Sequence, residues 1–260
     1  MEVVILPSAE EIAATGADTV VRLLTRQPDA VLGLATGSSP LGVYQDLARR
    51  HGAGEVSFAQ ARGFLLDEYV GLPGDHPQCY RSVIRRELES TVDFAPGAVQ
   101  GPDGQAADLP AACDAYETAI REAGGVDLQL LGIGTDGHLA FNEPGSSLTS
   151  RTRVKTLTAQ TRTDNARFFD SPDEVPRHVV TQGLGTISDA RHLVLLAAGE
   201  AKADAVARTV EGPVAASCPA SVLQLHPHVT VLLDEAAAAR LALADYFRQT
   251  YAGKPDWQDL

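Results

Sequence analysis

Cysteine is scarce. Cys79, Cys113 and Cys218 are odd in number, far apart and without a CxxC pair. That pattern argues against a disulfide framework or a thiolate zinc site, and for reduced thiols in the cytoplasm. Positive charge is also in deficit: 21 Lys and Arg face 34 Asp and Glu, a formal net charge of −13. Nucleic-acid binding needs clustered Lys and Arg on a basic face, so that class is disfavoured. A small anion needs only a few local cations and stays open. No apolar run approaches the roughly 20 residues of a membrane helix. The start, MEVVILPSAEE, lacks the basic and apolar regions of a secretory signal. The expected setting is the cytoplasm, without membrane contact.

What the chain has is apolar residues in short, regularly spaced runs. The 260 residues, 44% of them hydrophobic, suffice for one large domain or two small ones. VVIL (3–6), AVLGLA (30–35), GFLL (63–66), VDLQLLGI (126–133), HLVLLAA (192–198) and VTVLL (229–233) read as strands. They are apolar almost throughout, as parallel strands covered on both faces should be. Between them, Ser8 and Glu11 form a capping box ahead of Ile12, Val20, Val21, Leu23 and Leu24. Ser39 can cap a second helix with Pro40 at its first position. Further helices are predicted over 78–90, 110–123, 200–210 and 235–249, and GPDGQAAD (101–108) as a surface loop. Strand–helix alternation from end to end predicts an α/β fold over 1–260. Its sheet would be single, doubly wound and mostly parallel, with helices on both faces, Rossmann-like.

Ligands in such sheets bind beyond the carboxyl ends of the strands. The residues at those ends are TGSSP after 35, DEY after 66, TDGH after 134, GEAK after 198 and DE after 233. Thr36, Gly37, Ser38 and Ser39 offer backbone N–H groups, hydroxyls and the positive end of a helix, the parts of a phosphate cradle. The same loop also reads as an ordinary capped turn. It lacks the Gly-Lys-Ser/Thr ending of a P-loop, and no G-x-G-x-x-G follows a strand, so a nucleotide is not indicated. Asp67 and Glu68 stand directly after Phe64-Leu65-Leu66. A carboxylate there is partly desolvated and a better proton acceptor; capping a turn is the alternative.

LQLLGIGTDGHLAFNEP (128–144) is more specific. Gly132, Gly134 and Gly137 permit a tight backbone path near a ligand. His138 can exchange protons near neutrality, and Asp136 or Glu143 can orient its ring. The spacing is not the HExxH of a zinc enzyme, so no metal is read. From Pro144 to Thr163 there is no acid, yet Arg151, Arg153, Lys155 and Arg162 are present. This is either an anion site or a solvated face balancing acids elsewhere.

Together LATGSSPLGVY, FLLDEYVGLPGDHPQCY, GIGTDGHLAFNEPGSSLTSRTRVKTLT, ARFFD and SVLQLHPHV resemble glucosamine-6-phosphate deaminase, over about residues 1–250. The resemblance implies conversion of glucosamine 6-phosphate and water to fructose 6-phosphate and ammonia, in amino-sugar catabolism and without metal or organic cofactor. It implies Asp67 as the base for enolisation and His138 as the ring-opening acid/base, with Asp136 and Glu143 as its relay. Phosphate binding falls to Thr36–Ser39, Arg167 and Lys202.

Some members are hexamers activated by N-acetylglucosamine 6-phosphate, others are unregulated monomers. Ser146, Arg153, Lys155, Thr156 and Tyr246 match the effector positions of the allosteric group. The chain departs from familiar members in GPVAASCPA (212–220), TGSSP and the tail AGKPDWQDL. A 6-phosphogluconolactonase, which shares a GxDGH-like element but is not expected to carry AFNEP or DEYVGL, and a non-catalytic sugar-phosphate sensor are the competing readings.

Overall fold

The computed structural model describes residues 1–166, 169, 171–255, 257–258 and 260. In chain order the elements are β1 (Glu2–Leu6), α1 (Ala9–Arg26), β2 (Val31–Leu34), α2 (Ser38–Gly52), β3 (Arg62–Leu65), β4 (Asp67–Tyr69) and α3 (Tyr80–Ile84). They continue with β5 (Val99–Gln100), α4 (Leu109–Glu122), β6 (Leu128–Leu131), β7 (Arg153–Thr156), α5 (Ala159–Asn165) and β8 (His178–Thr181). The last are α6 (Leu184–Ser188), β9 (His192–Ala197), α7 (Ala203–Val210), β10 (Val229–Asp234) and α8 (Ala244–Ala252).

Seven strands form one parallel sheet in the order β1-β10-β9-β6-β2-β3-β5. All six predicted strands lie in it. Successive residues of one strand serve opposite faces, as the pleat requires. On β9, Leu193 and Leu195 join the core shared with α6 and α7, while Val194 and Leu196 join the core under α1 and α2. All four are buried, and full burial of each such side chain contributes about 1.5–3 kcal/mol. That two-sided demand explains runs apolar at nearly every position. Gly16 lets α1 approach α2: a methyl group there would lie 3.0 Å from Val43.

Strand order fixes where a ligand can enter. From β2 the chain runs outward through β3 to β5, then crosses back to β6 and runs outward the other way. The carboxyl ends of β2 and β6 therefore flank the point where the winding reverses, and such a point opens a crevice. The segment after β2, residues 35–37, runs into Ser38 and Ser39 in the first turn of α2, and the loop after β6 is Gly132–His138.

A second, three-stranded antiparallel sheet has the order β4-β8-β7. It was not legible in the sequence. β4 is three residues long and polar at its start, and β7 is polar and only partly buried, so neither shows an apolar strand pattern. Three helical expectations also change. Helix α2 begins at Ser38 with Gly37 as its N-cap at φ +94°, so Ser39 lies inside the helix and does not cap it. Helix 78–90 is α3 followed by a π-helical turn over Arg85–Glu89. In 235–249 only the stretch from Ala244 onward is helical, because the Glu211 carboxylate takes the Ala242 and Leu243 N–H groups at 2.9 and 2.8 Å. Loop 101–108 is more than surface: Gly104 is buried, and its carbonyl accepts from the Gly71 N–H at 2.9 Å.

Candidate active site

Asp67 stands where the chain leaves one sheet for the other. Leu66 N–H still donates to Leu34 of the main sheet, at 3.2 Å, while its carbonyl accepts from Gln182 N–H at 2.7 Å. Asp67 then pairs with Thr181 of β8. The switch buries Asp67, at 5% exposure. Desolvation, with the charge of Glu68 adding to it, holds its carboxyl well above the usual carboxylate range. Tyr69, Tyr80 and Phe141 pack together beside it, with ring centroids 4.9 to 6.0 Å apart. Burial pushes the Tyr69 hydroxyl up to about 12. This aromatic wall was missed in the sequence, although two of its members, Tyr69 and Phe141, lie within DEY and AFNEP.

The adjacent Glu68 has a different task. Its carboxylate accepts from the Tyr69, Tyr80 and Arg81 N–H groups at 2.8, 3.0 and 2.9 Å and from the Cys79 thiol at 3.0 Å. It holds the start of α3 and is fully engaged in doing so.

At the end of β6 the chain turns back on itself, with Gly134 N–H donating to the His138 carbonyl at 3.0 Å. His138 Nδ1 lies 2.7 Å from Asp136 Oδ1, and His138 N–H donates to the same oxygen at 3.1 Å. The nearby imidazole, acting mainly through hydrogen bonding, holds the Asp136 carboxyl below its ordinary range. Loop 138–143 is docked on β8: Asn142 Nδ2 donates to the Gln182 carbonyl at 2.8 Å, and Phe141 N–H to Thr181 Oγ1 at 3.3 Å. Thr181 thus touches the histidine loop and pairs with Asp67.

Glu143 is buried, but among the described residues no hydrogen bond or ion pair joins it to His138. Its carboxylate accepts instead from Thr158 Oγ1 at 3.2 Å and from Thr161 Oγ1, at the start of α5.

The phosphate candidates gather at the same edge. Gly37, the N-cap of α2, has open space where a side chain would stand and no side-chain cap bond follows it, and the first N–H groups of a helix have no partner within it. A methyl group on Gly132 would be 3.5 Å from Ser39 Oγ, which sets the two switch-point loops against each other. Lys202 Nζ donates to the Ile133 carbonyl at 2.6 Å, bringing its charge to this rim. Arg167 lies outside the described residues. The basic stretch splits up: Arg151 binds Glu117 and Asp189, and Arg162 donates to the Val175 carbonyl. Of the effector candidates, Arg153, Lys155 and Thr156 lie on β7, and buried Ser146 donates to the Glu143 carbonyl at 2.7 Å. Tyr246 is exposed on α8, which packs by β1 at the far edge of the main sheet. A single chain does not bring these five together. Asp234, read as a polar strand end, holds the Gly199 N–H at 2.9 Å and is structural.

Residues 7–232 match the family of glucosamine-6-phosphate isomerases and 6-phosphogluconolactonases. This chain belongs to that family. Within it, the chain is 67% identical to a glucosamine-6-phosphate deaminase of Mycolicibacterium smegmatis and 68% identical to one of Beutenbergia cavernae, each over the full length of both proteins. Among solved structures, a monomeric glucosamine-6-phosphate deaminase superposes with a TM-score of 0.90 at 42% identity, covering 92% of this chain and all of the other. A 6-phosphogluconolactonase from Trypanosoma brucei, at 23% identity and a TM-score of 0.74, shares the fold. The family member described here is an enzyme with an α/β architecture, and among its described residues no helix is long and apolar enough to cross a membrane.

Proposed function

We propose that this chain converts glucosamine 6-phosphate and water to fructose 6-phosphate and ammonia, with residues 1–260 acting as one catalytic unit in the cytoplasm. The full-length relatives support the reaction. The observation that carries the assignment of roles is the pairing of two proton-transfer groups across the switch point: Asp67 beyond β3 and the Asp136–His138 pair beyond β6.

In this reading Thr36–Ser39, Lys202 and Arg167 hold the 6-phosphate. His138 takes the proton of the O1 hydroxyl and returns one to the ring oxygen, opening the ring, while Asp136 balances the imidazolium charge. Asp67 then removes the C2 proton and delivers it to C1. The product imine takes up water and releases ammonia. A carboxyl as buried as Asp67 needs a cation beside it before it ionises, and the protonated C2 amine of the substrate supplies one. Glu143, held by Thr158 and Thr161, joins the relay only if those contacts release it. Ammonia release from glucosamine 6-phosphate, without added cofactor, tests the reading; hydrolysis of 6-phosphogluconolactone with the amino sugar untouched would replace it.

Allosteric activation by N-acetylglucosamine 6-phosphate is the finer proposal, supported by Ser146, Arg153, Lys155, Thr156 and Tyr246. Since one chain separates Tyr246 from the strand residues, such a site requires an assembly, for which a hexamer is the candidate. Light scattering tests assembly. A hyperbolic rate curve unchanged by the effector rejects activation.

A further inference from the structure

The loop that carries His138 contains a strained turn. Leu139 and Asn142 form an antiparallel bridge, with Asn142 N–H donating to the Leu139 carbonyl at 2.9 Å. Ala140, inside that turn, has φ 51° and is the one non-glycine residue among those described with a positive φ. A residue with a Cβ adopts that conformation at a cost, so contacts outside the turn must hold it there.

Asn142 supplies them. It is fully buried, and its Nδ2 donates to the Leu139 carbonyl at 3.1 Å and to the Gln182 carbonyl at 2.8 Å. Turning the amide over would set its oxygen against both carbonyls, so the nitrogen is the atom that faces them. Oδ1 is buried as well and, among the described residues, accepts no hydrogen bond. A buried acceptor without a donor is destabilising, and an apolar side chain would avoid it. The contribution of the amide therefore lies in its two donors.

Those donors join the two halves of the candidate site. Gln182 N–H donates to the Leu66 carbonyl at 2.7 Å, and Gln182 Nε2 to the Leu65 carbonyl at 3.0 Å. Leu66 precedes Asp67, and Leu139 follows His138. The parallel contact, Phe141 N–H to Thr181 Oγ1, is longer at 3.3 Å.

We infer that Asn142 is a positioning residue that fixes His138 against Asp67. Fully buried, it presents no surface to a ligand and acts through the backbone of its neighbours. The kinetic part of this inference rests on the deaminase reading, in which ring opening and C2 proton removal act on one bound sugar. Both groups must then keep their spacing, and a displacement of about 1 Å costs roughly a hundredfold in rate.

The test compares Asn142→Ala with the double variant Asn142→Ala/Ala140→Gly, since glycine accepts a positive φ and relieves the turn. Asn142→Ala should lower kcat about 10–100-fold, while KM for glucosamine 6-phosphate moves less than about threefold. The double variant should recover melting temperature but not kcat. A residue that only stabilised the fold would behave otherwise: kcat well below the melting range would stay near wild type, or return with the melting temperature. Asn142→Ser, which keeps one donor, is the milder change and decides the question if Asn142→Ala does not fold; an intermediate fall in kcat is expected. Amide exchange followed by NMR needs no turnover. Phe141 and Gln182 N–H should both exchange at least about tenfold faster in the double variant, relative to Val194 in the core. Unchanged kcat in a folded variant, kcat that returns with stability, or faster exchange confined to Phe141 overturns the proposal. If the wild-type chain releases no ammonia from glucosamine 6-phosphate, the deaminase reading fails, and the exchange result still decides whether Asn142 couples the histidine loop to the Asp67 strand.

Discussion

A methyl group on Gly134 would lie 2.2 Å from Cε1 of the His138 ring. The ring occupies the space that any other side chain at 134 would need, so the missing Cβ is a condition for the Asp136–His138 geometry. Gly134→Ala should displace the imidazole from Asp136 and lower kcat by roughly 10²–10⁴, the range for loss of a positioned acid/base. Circular dichroism should show the fold retained. An alanine variant with unchanged kcat would remove His138 from the ring-opening step.

In the proposed reaction Asp67 links activity to stability with opposite signs. Its carboxyl is raised in the folded state, so it favours folding below the unfolded value near 3.9. That contribution is lost as pH rises through the higher folded value. Asp67→Asn should therefore abolish ammonia release and raise the melting temperature at pH 7–8, with the gain shrinking towards pH 4. Loss of activity with lowered stability at pH 8 would contradict the burial argument.

Glu68 and Asp67 are adjacent carboxylates with opposed roles, and mutation should separate them. Glu68→Ala removes the acceptor for three N–H groups and the Cys79 thiol. It should cost about 1–3 kcal/mol of stability, read by urea unfolding. Turnover should fall much less than in Asp67→Asn when assayed well below the melting range.

The main sheet was legible because burial on two faces leaves a local mark, a run apolar at nearly every position, at each of its long strands. The second sheet leaves none. Asp67-Glu68-Tyr69 is a strand only because β8, more than a hundred residues away, pairs with it. The geometry of the candidate site was legible to the same extent. Strand-end position picked out Asp67, Asp136 and His138, whereas the contacts of Glu143 with Thr158 and Thr161 depend on where α5 folds back. The role of Arg151 was hidden for a similar reason, since its partner Glu117 is on α4. A basic run in sequence became a structural clamp in space.

That clamp makes the last prediction. Glu117 is buried and accepts from Thr152 N–H at 2.8 Å, Thr152 Oγ1 at 2.5 Å, Thr186 Oγ1 at 2.6 Å and Arg151 Nε at 3.1 Å. Burial alone would raise its carboxyl, but the hydrogen bonds outweigh that cost and hold it below its ordinary range. A depressed folded value means stability that is present above the unfolded value near 4.3 and lost as pH falls through the folded one. Arg151 is half-exposed, so solvent screens its share and most of the effect belongs to the threonine contacts. Glu117→Gln should cost about 2 kcal/mol at pH 7, a fall of roughly 4–8 °C in Tm for a chain of this size. The difference should close below pH 4. Thr152 precedes β7 and Thr186 lies in α6, so the residue ties α4 to the sheet that carries Asp67. Ammonia release at 25 °C should be nearly unchanged, while inactivation on heating should come earlier. Equal stability losses at pH 3 and pH 7 would show that packing, not the charge of Glu117, holds this junction.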